Sequence, residues 1–192
     1  MKTALLVIDV QKLYTDIDNA YLVDDSGGVI ERINRIIEHS IKKCYEIIYI
    51  KHVHAKDGSD SGRMFDFTGE QGEIEFIDGS KEVDFSSGLY VKEGATIIIK
   101  HRYDSFIGTE LEQILKNNGI EKVIIVGFMT NFCCESTARS AHDRDFFVDF
   151  VWDATGTPGV ENISTEDLIK TTRENLAAGF ANVISTEDVV LS

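Results

Sequence analysis

Short runs of consecutive apolar residues alternate along this chain with stretches whose apolar positions recur every three or four residues. The runs, at 3–10, 46–51, 95–100, 123–126, 146–152 and 182–185, are rich in β-branched residues. A strand buried on both faces of a parallel sheet reads this way, whereas a half-exposed strand alternates apolar with polar. After Gly27-Gly28, Val29, Ile33, Ile36, Ile37 and Ile41 keep a helical period. Leu111, Ile114 and Leu115 do the same within 109–118. From Asn131 onward Cys133, Thr137 and Ala141 fall four residues apart, and a last helix starts at Ser164, with Asp167 three residues on, and closes near Gly179. Strands alternating with helices predict a three-layer α/β/α domain with a mostly parallel, about six-stranded sheet. The region 57–94 breaks the pattern. Glycines at 58, 62, 69, 72, 79 and 88 punctuate it, so it reads as a structured loop. Its Phe65, Phe67, Phe76, Phe85 and Tyr90 either line a pocket or pack under the loop, the latter being the simpler reading for any one of them.

Length then sets the scale, since 192 residues suffice for one well-buried domain and are few for two. A single domain spanning 1–192 is expected. Thirty-three acidic residues against 19 basic give a net charge of −14, and no basic cluster exceeds Lys42-Lys43. That balance excludes nucleic acid and anionic membrane as partners. No apolar run is long enough to cross a bilayer, and MKTALLVIDVQKLY reads as a first strand rather than a signal peptide. Three cysteines, two of them adjacent, suit a reducing compartment, so a cytoplasmic location is expected.

Candidate chemistry sits at the ends of the strands. Asp9 lies near the carboxyl end of the first, which in open α/β sheets faces the ligand crevice; by position alone it could equally cap a loop. Lys100 ends the third strand, where a lysine either reaches out to water or pairs with a buried acid. Cys133 and Cys134 fall in the first turn of the helix that follows strand 123–126, where unpaired N–H groups favour a thiolate. Cys134 reads as a packing residue and Cys44 as a core residue ending the first long helix. His52 and His54 read as an ordinary pair of polar strand-end histidines. Phe106, just before the 109–118 helix, is expected to line the cleft.

Three motifs in order give these positions a common meaning. Gly127, Thr130, Asn131, Cys133, Thr137 and Ala138 form G-x-x-T-N-x-C-x-x-x-T-A, Asp9 and Gln11 form Asp-x-Gln, and IIIKHRYDSFIGTEL carries Lys100, Arg102, Tyr103, Ser105, Phe106, Thr109 and Leu111. Together they resemble the isochorismatase-like cysteine hydrolases over nearly the whole chain. The resemblance implies an Asp9–Lys100–Cys133 triad. It also implies an oxyanion hole from the N–H groups of Met129 and Cys133, with a cis Phe128–Met129 peptide. Gln11, Tyr103 and Phe106 become substrate-contacting candidates, the substrate is a small molecule, no cofactor is called for, and a homo-oligomer, dimer or tetramer, is implied. Nicotinamidases of the family carry a metal on an Asp-x-His element; no Asp stands two positions before His52 or His54, so no metal is expected. Members devoted to vinyl-ether cleavage of isochorismate commonly lack the cysteine, so Cys133 favours hydrolysis of a C–N bond in an amide or ureide. Isochorismatase and nicotinamidase activities remain alternatives within the family. A flavodoxin-like binding or redox module is the alternative outside it, against which stands the absence of a glycine-rich phosphate loop after the first strand.

Overall fold

The protein, described by a computed structural model over residues 1–17, 20–70 and 72–192, runs as β1 (Thr3–Ile8), α1 (Lys12–Thr15), α2 (Ser26–Lys42), β2 (Glu46–His52), β3 (Thr96–Lys100), α3 (Leu111–Asn117) and β4 (Lys122–Phe128). A π-helical turn (Thr130–Cys134) follows, then α4 (Glu135–His142), β5 (Phe147–Gly156), α5 (Thr165–Ala177), β6 (Asn182–Ile184) and α6 (Thr186–Val190). The six strands are ordered β3-β2-β1-β4-β5-β6, and every neighbouring pair is parallel.

Every residue of β1 is buried because its two faces meet different cores. Leu5 and Val7 join Ile33, Ile36 and Ile37 of α2 on one side. Ala4, Leu6 and Ile8 join Leu111 and Leu115 of α3 and Ala138 and Ala141 of α4 on the other. Burying a Leu or Ile side chain contributes about 1.5–3 kcal/mol, so the sheet is held chiefly by these two apolar layers. The strand order reverses between β1 and β4, which opens a crevice beyond the carboxyl ends of the strands. Asp9, His52, Lys100 and the turn after Phe128 all lie at that end.

Several boundaries differ from the sequence expectation, each for a local reason. The sheet is wholly rather than mostly parallel. Helix α2 starts at Ser26 and takes Gly27-Gly28 into its first turn; a Cβ on Gly28 would meet the Asp25 carboxylate at 2.4 Å. The first strand stops at Ile8, and Asp9 adopts a left-handed φ of 50° that turns it out of the sheet. Gly127 has a φ of 125°, and a Cβ there would stand 1.9 Å from the Ile8 carbonyl oxygen, so only glycine lets β4 approach β1 this closely. Strand β5 continues past Trp152 to Gly156, with its register against β4 shifting between Ile125 and Gly127. Cys44 is not in the core: it is exposed, with a left-handed φ of 57°, just beyond α2. Cys134 is fully buried, as its packing role requires. No helix of the described residues is long and apolar enough to cross a membrane.

Candidate active site

Three strand ends deliver one acid, one amine and one thiol to the same point. Lys100 Nζ lies 2.8 Å from Asp9 Oδ2 and 3.2 Å from Cys133 Sγ. It also donates to the carbonyl oxygens of Arg102 (2.9 Å) and Tyr103 (3.3 Å). The side chains of Asp9 and Lys100 are wholly shielded from solvent, and Cys133 is 2% exposed. Burial would push the lysine down, but the Asp9 carboxylate, with the hydrogen bonds to Asp9 and Cys133, outweighs it and holds the ammonium protonated. Burial lifts the Asp9 carboxyl above its ordinary range, with Lys100 opposing. The same desolvation pushes the Cys133 thiol up to about 12, more than the Lys100 charge lowers it. The sequence reading of a thiolate favoured by the helix N-terminus therefore does not describe the resting site, in which the sulfur keeps its proton beside a carboxylate. Its backbone setting differs too, since Cys133 belongs to a π-helical turn that precedes α4. The Phe128–Met129 peptide that leads into this turn is cis.

Gln11 is fully buried and spends its side chain on the backbone. Its Nε2 donates to the carbonyls of His52 (3.0 Å) and Val83 (3.1 Å), and its Oε1 accepts from the His52 N–H at 2.8 Å. It ties the end of β2 and the 57–94 loop to the start of α1 rather than facing the chamber. His52 and His54 form a relay. Ala55 N–H and His54 hold the Asp60 carboxyl below its usual range despite burial, so Asp60 accepts from His54 Nδ1 at 3.0 Å. His54 Nε2 then accepts from His52 Nε2, also at 3.0 Å, and His52, kept neutral by burial and by Lys100, is left with a bare Nδ1. His52 stacks on Phe76 with ring centroids 4.4 Å apart.

Two groups of metal-ligating atoms converge among the described residues: Asp9, His52 and Cys133, and His54, Asp60 and His101. The first group shares its space with a cation, and the second is tied together by its own hydrogen bonds. The first already contains the Lys100 ammonium, and in the second both ring nitrogens of His54 are engaged while His101 Nδ1 contacts the Val53 carbonyl at 2.6 Å.

Above Cys133 opens a chamber of about 430 Å³ whose walls include Tyr14, Tyr21, Phe65, Phe76, Tyr103 and Phe132, with Met129 beside the thiol. Tyr103 packs against Phe132 at 5.2 Å between centroids. Phe106 is a correction: it is 5% exposed, packs against Phe146 and under Arg144, and belongs to the core between β4 and α3 instead of the cleft. Sequence reasoning missed Tyr14, Tyr21, Glu75 and Phe132. Only Phe132 carried a signal, its place next to Cys133; the others reach the site through loop paths that periodicity does not encode.

Residues 3–188 match the isochorismatase domain family. The chain belongs to the isochorismatase family. As an isochorismatase-family hydrolase it is similar to Nicotinamidase 3 of Arabidopsis thaliana, 28% identical over 186 residues that cover 96% of this chain and 85% of that protein. It is 31% identical over 114 residues to a secreted isochorismatase effector of Verticillium dahliae, a match spanning 59% of this chain and 60% of the other. A cysteine hydrolase structure from Pseudomonas syringae pv. phaseolicola 1448A superposes with a TM-score of 0.89 at 27% identity, over 99% of this chain and 91% of that one.

Proposed function

We propose that the protein hydrolyses a C–N bond of a small amide or ureide through a thioester on Cys133. The observation that carries this reading is the buried contact of Lys100 with both Asp9 and Cys133, of which Cys133 lines an aromatic chamber. Asp9, made more basic by burial, takes the thiol proton while Lys100 balances whichever partner bears the negative charge. The thiolate attacks the carbonyl carbon, and the N–H groups of Met129 and Cys133 donate to the oxyanion; losing one such donor costs on the order of a hundredfold or more in rate. Collapse of that adduct breaks the C–N bond, the amine leaving with the proton held by Asp9. Water, giving a proton to Asp9, then cleaves the thioester to the free acid and restores the thiol. Tyr103 serves as a wall for the substrate, and Gln11 acts by holding His52.

The similarity to a nicotinamidase and to a cysteine hydrolase supports C–N cleavage. Isochorismate hydrolysis is less well served, because a vinyl ether needs protonation rather than a buried nucleophilic sulfur. A redox module is disfavoured by the exposure of Cys44 away from the buried Cys133 and Cys134. An amine-release screen over ureides, small amides and nicotinamide tests the reading. Turnover of at least one of them that is lost in Cys133→Ala supports it, and turnover that survives the substitution sinks it.

A further inference from the structure

The chamber over Cys133 has an unbalanced charge. Glu73 and Glu75 both line it, and no lysine or arginine does among the described residues. Glu75 is half-buried and accepts from the Tyr21 hydroxyl at 2.9 Å, yet neither glutamate has an ion-pair partner among the described residues. Burial raises the Glu75 carboxyl, the Tyr21 hydroxyl opposes it, and Glu82 and Glu73 add to the rise. Glu75, Tyr103 and Cys133 all line this one chamber, so the carboxylate and the nucleophile share the same space. The remaining walls are aromatic faces, among them Tyr21, Phe65, Tyr103 and Phe132.

From this combination we infer that the site selects a cation-bearing amide, its ammonium or similar group held between Glu75 and the aromatic walls while its carbonyl reaches Cys133, and that it rejects substrates carrying a carboxylate. The inference deepens the amide-hydrolase reading and rests on it for the placement of the carbonyl. Its physics is elementary. Ring faces and a half-buried carboxylate both attract a weakly hydrated cation, and the two glutamates repel an anion, to which the wall offers no lysine or arginine, the nearby Lys100 being buried behind Cys133 and paired with Asp9.

Three compounds of nearly equal shape separate charge from size: 4-(trimethylammonio)benzamide, neutral 4-tert-butylbenzamide and anionic 4-carbamoylbenzoate. Calorimetric binding to the full-length Cys133→Ala variant should favour the cation over its neutral isostere by at least about tenfold, with the anion weakest. In Cys133→Ala carrying Glu73→Gln and Glu75→Gln the gap between cation and isostere should shrink to about threefold or less, by the same conversion of contact energy into affinity. Equal binding of cation and isostere, tighter binding of the anion, a gap that survives the double substitution, or no binding of any of the three overturns the inference. Amine release by the wild-type protein keeps the two ideas apart. Selective binding of the cation without release would retain the selectivity and remove the hydrolase, whereas release without selectivity would do the reverse.

Discussion

The ammonium of Lys100 stands 2.8 Å from the carboxylate of Asp9, with both side chains entirely removed from water. A buried pair of this kind is held by its partners rather than by solvent, so removing one charge strands the other. Lys100→Met should lower unfolding free energy by about 3–5 kcal/mol, and Asp9→Asn by a similar amount. The double variant should recover much of the loss. Urea unfolding of all four proteins checks this, and purely additive losses would mean that the two charges do not depend on each other.

Alkaline pH should weaken the fold in a defined window. Native Cys133 keeps its proton to about 12 against an ordinary value of 9.0, so above pH 9 the unfolded chain releases a proton that the native one retains, and stability falls as pH rises. Cys134, pushed well above 9.0 by burial, acts in the same sense, and Lys100, raised above 10.5, joins only at higher pH. Each thiol contributes a slope of up to roughly 1.4 kcal/mol per pH unit. Denaturant midpoints at pH 8, 9, 10 and 10.5 should fall beyond pH 9, and Cys133→Ala should remove its own share of the slope. Tyr14, Tyr21, Tyr49 and Tyr103, whose hydroxyls burial also raises, add to the fall near pH 10. A rise in stability across this window contradicts the buried protonated thiol.

Three residues named together from the sequence should separate under mutation. Gln11→Ala leaves the His52 N–H and two carbonyls without their partner, and each orphaned buried group costs about 1–3 kcal/mol, so it should act on stability. Phe106→Ala opens the core and should cost about 3–5 kcal/mol. Tyr103→Ala, half-exposed on the chamber wall, should leave stability nearly unchanged and raise KM. Thermal melts and steady-state kinetics on the three variants decide it, and a KM effect confined to Phe106→Ala would reverse the assignment.

Thiol accessibility should rank opposite to the proposed catalytic role. Cys44 is exposed while Cys133 and Cys134 are buried, so limiting iodoacetamide should label Cys44 first. Peptide mapping reads the order, and first labelling of Cys134 would contradict the packing described here.

Strands β1 and β4 were legible because both faces of each are buried, leaving runs such as VIIV without polar interruption. Asp9, Lys100 and Cys133 were singled out because each stands at or just past a strand end, and the parallel topology gathers those ends. The relay from Asp60 through His54 to His52 was not legible, since it depends on how the irregular 57–94 region returns to β2. Phe106 was misread because the chain turns it toward Phe146 before α3 begins. Cys44 was misread because the helical period runs through Ile41 and ends before the left-handed residue at 44. Glu75 carried no sequence signal at all; only its contact with Tyr21 and its place on the chamber wall give it a meaning.

In the proposed reaction the sulfur of Cys133 takes the acyl portion of the substrate. Rapid acid quench during turnover of an amide identified by the amine-release screen, followed by intact-mass and peptide mass spectrometry, reads that event directly. The predicted result is a protein heavier by the acyl group alone, with the added mass on the peptide containing Cys133 and absent from Cys133→Ala. Turnover at an unchanged rate in Cys133→Ala, or acyl mass found on another residue, would contradict it.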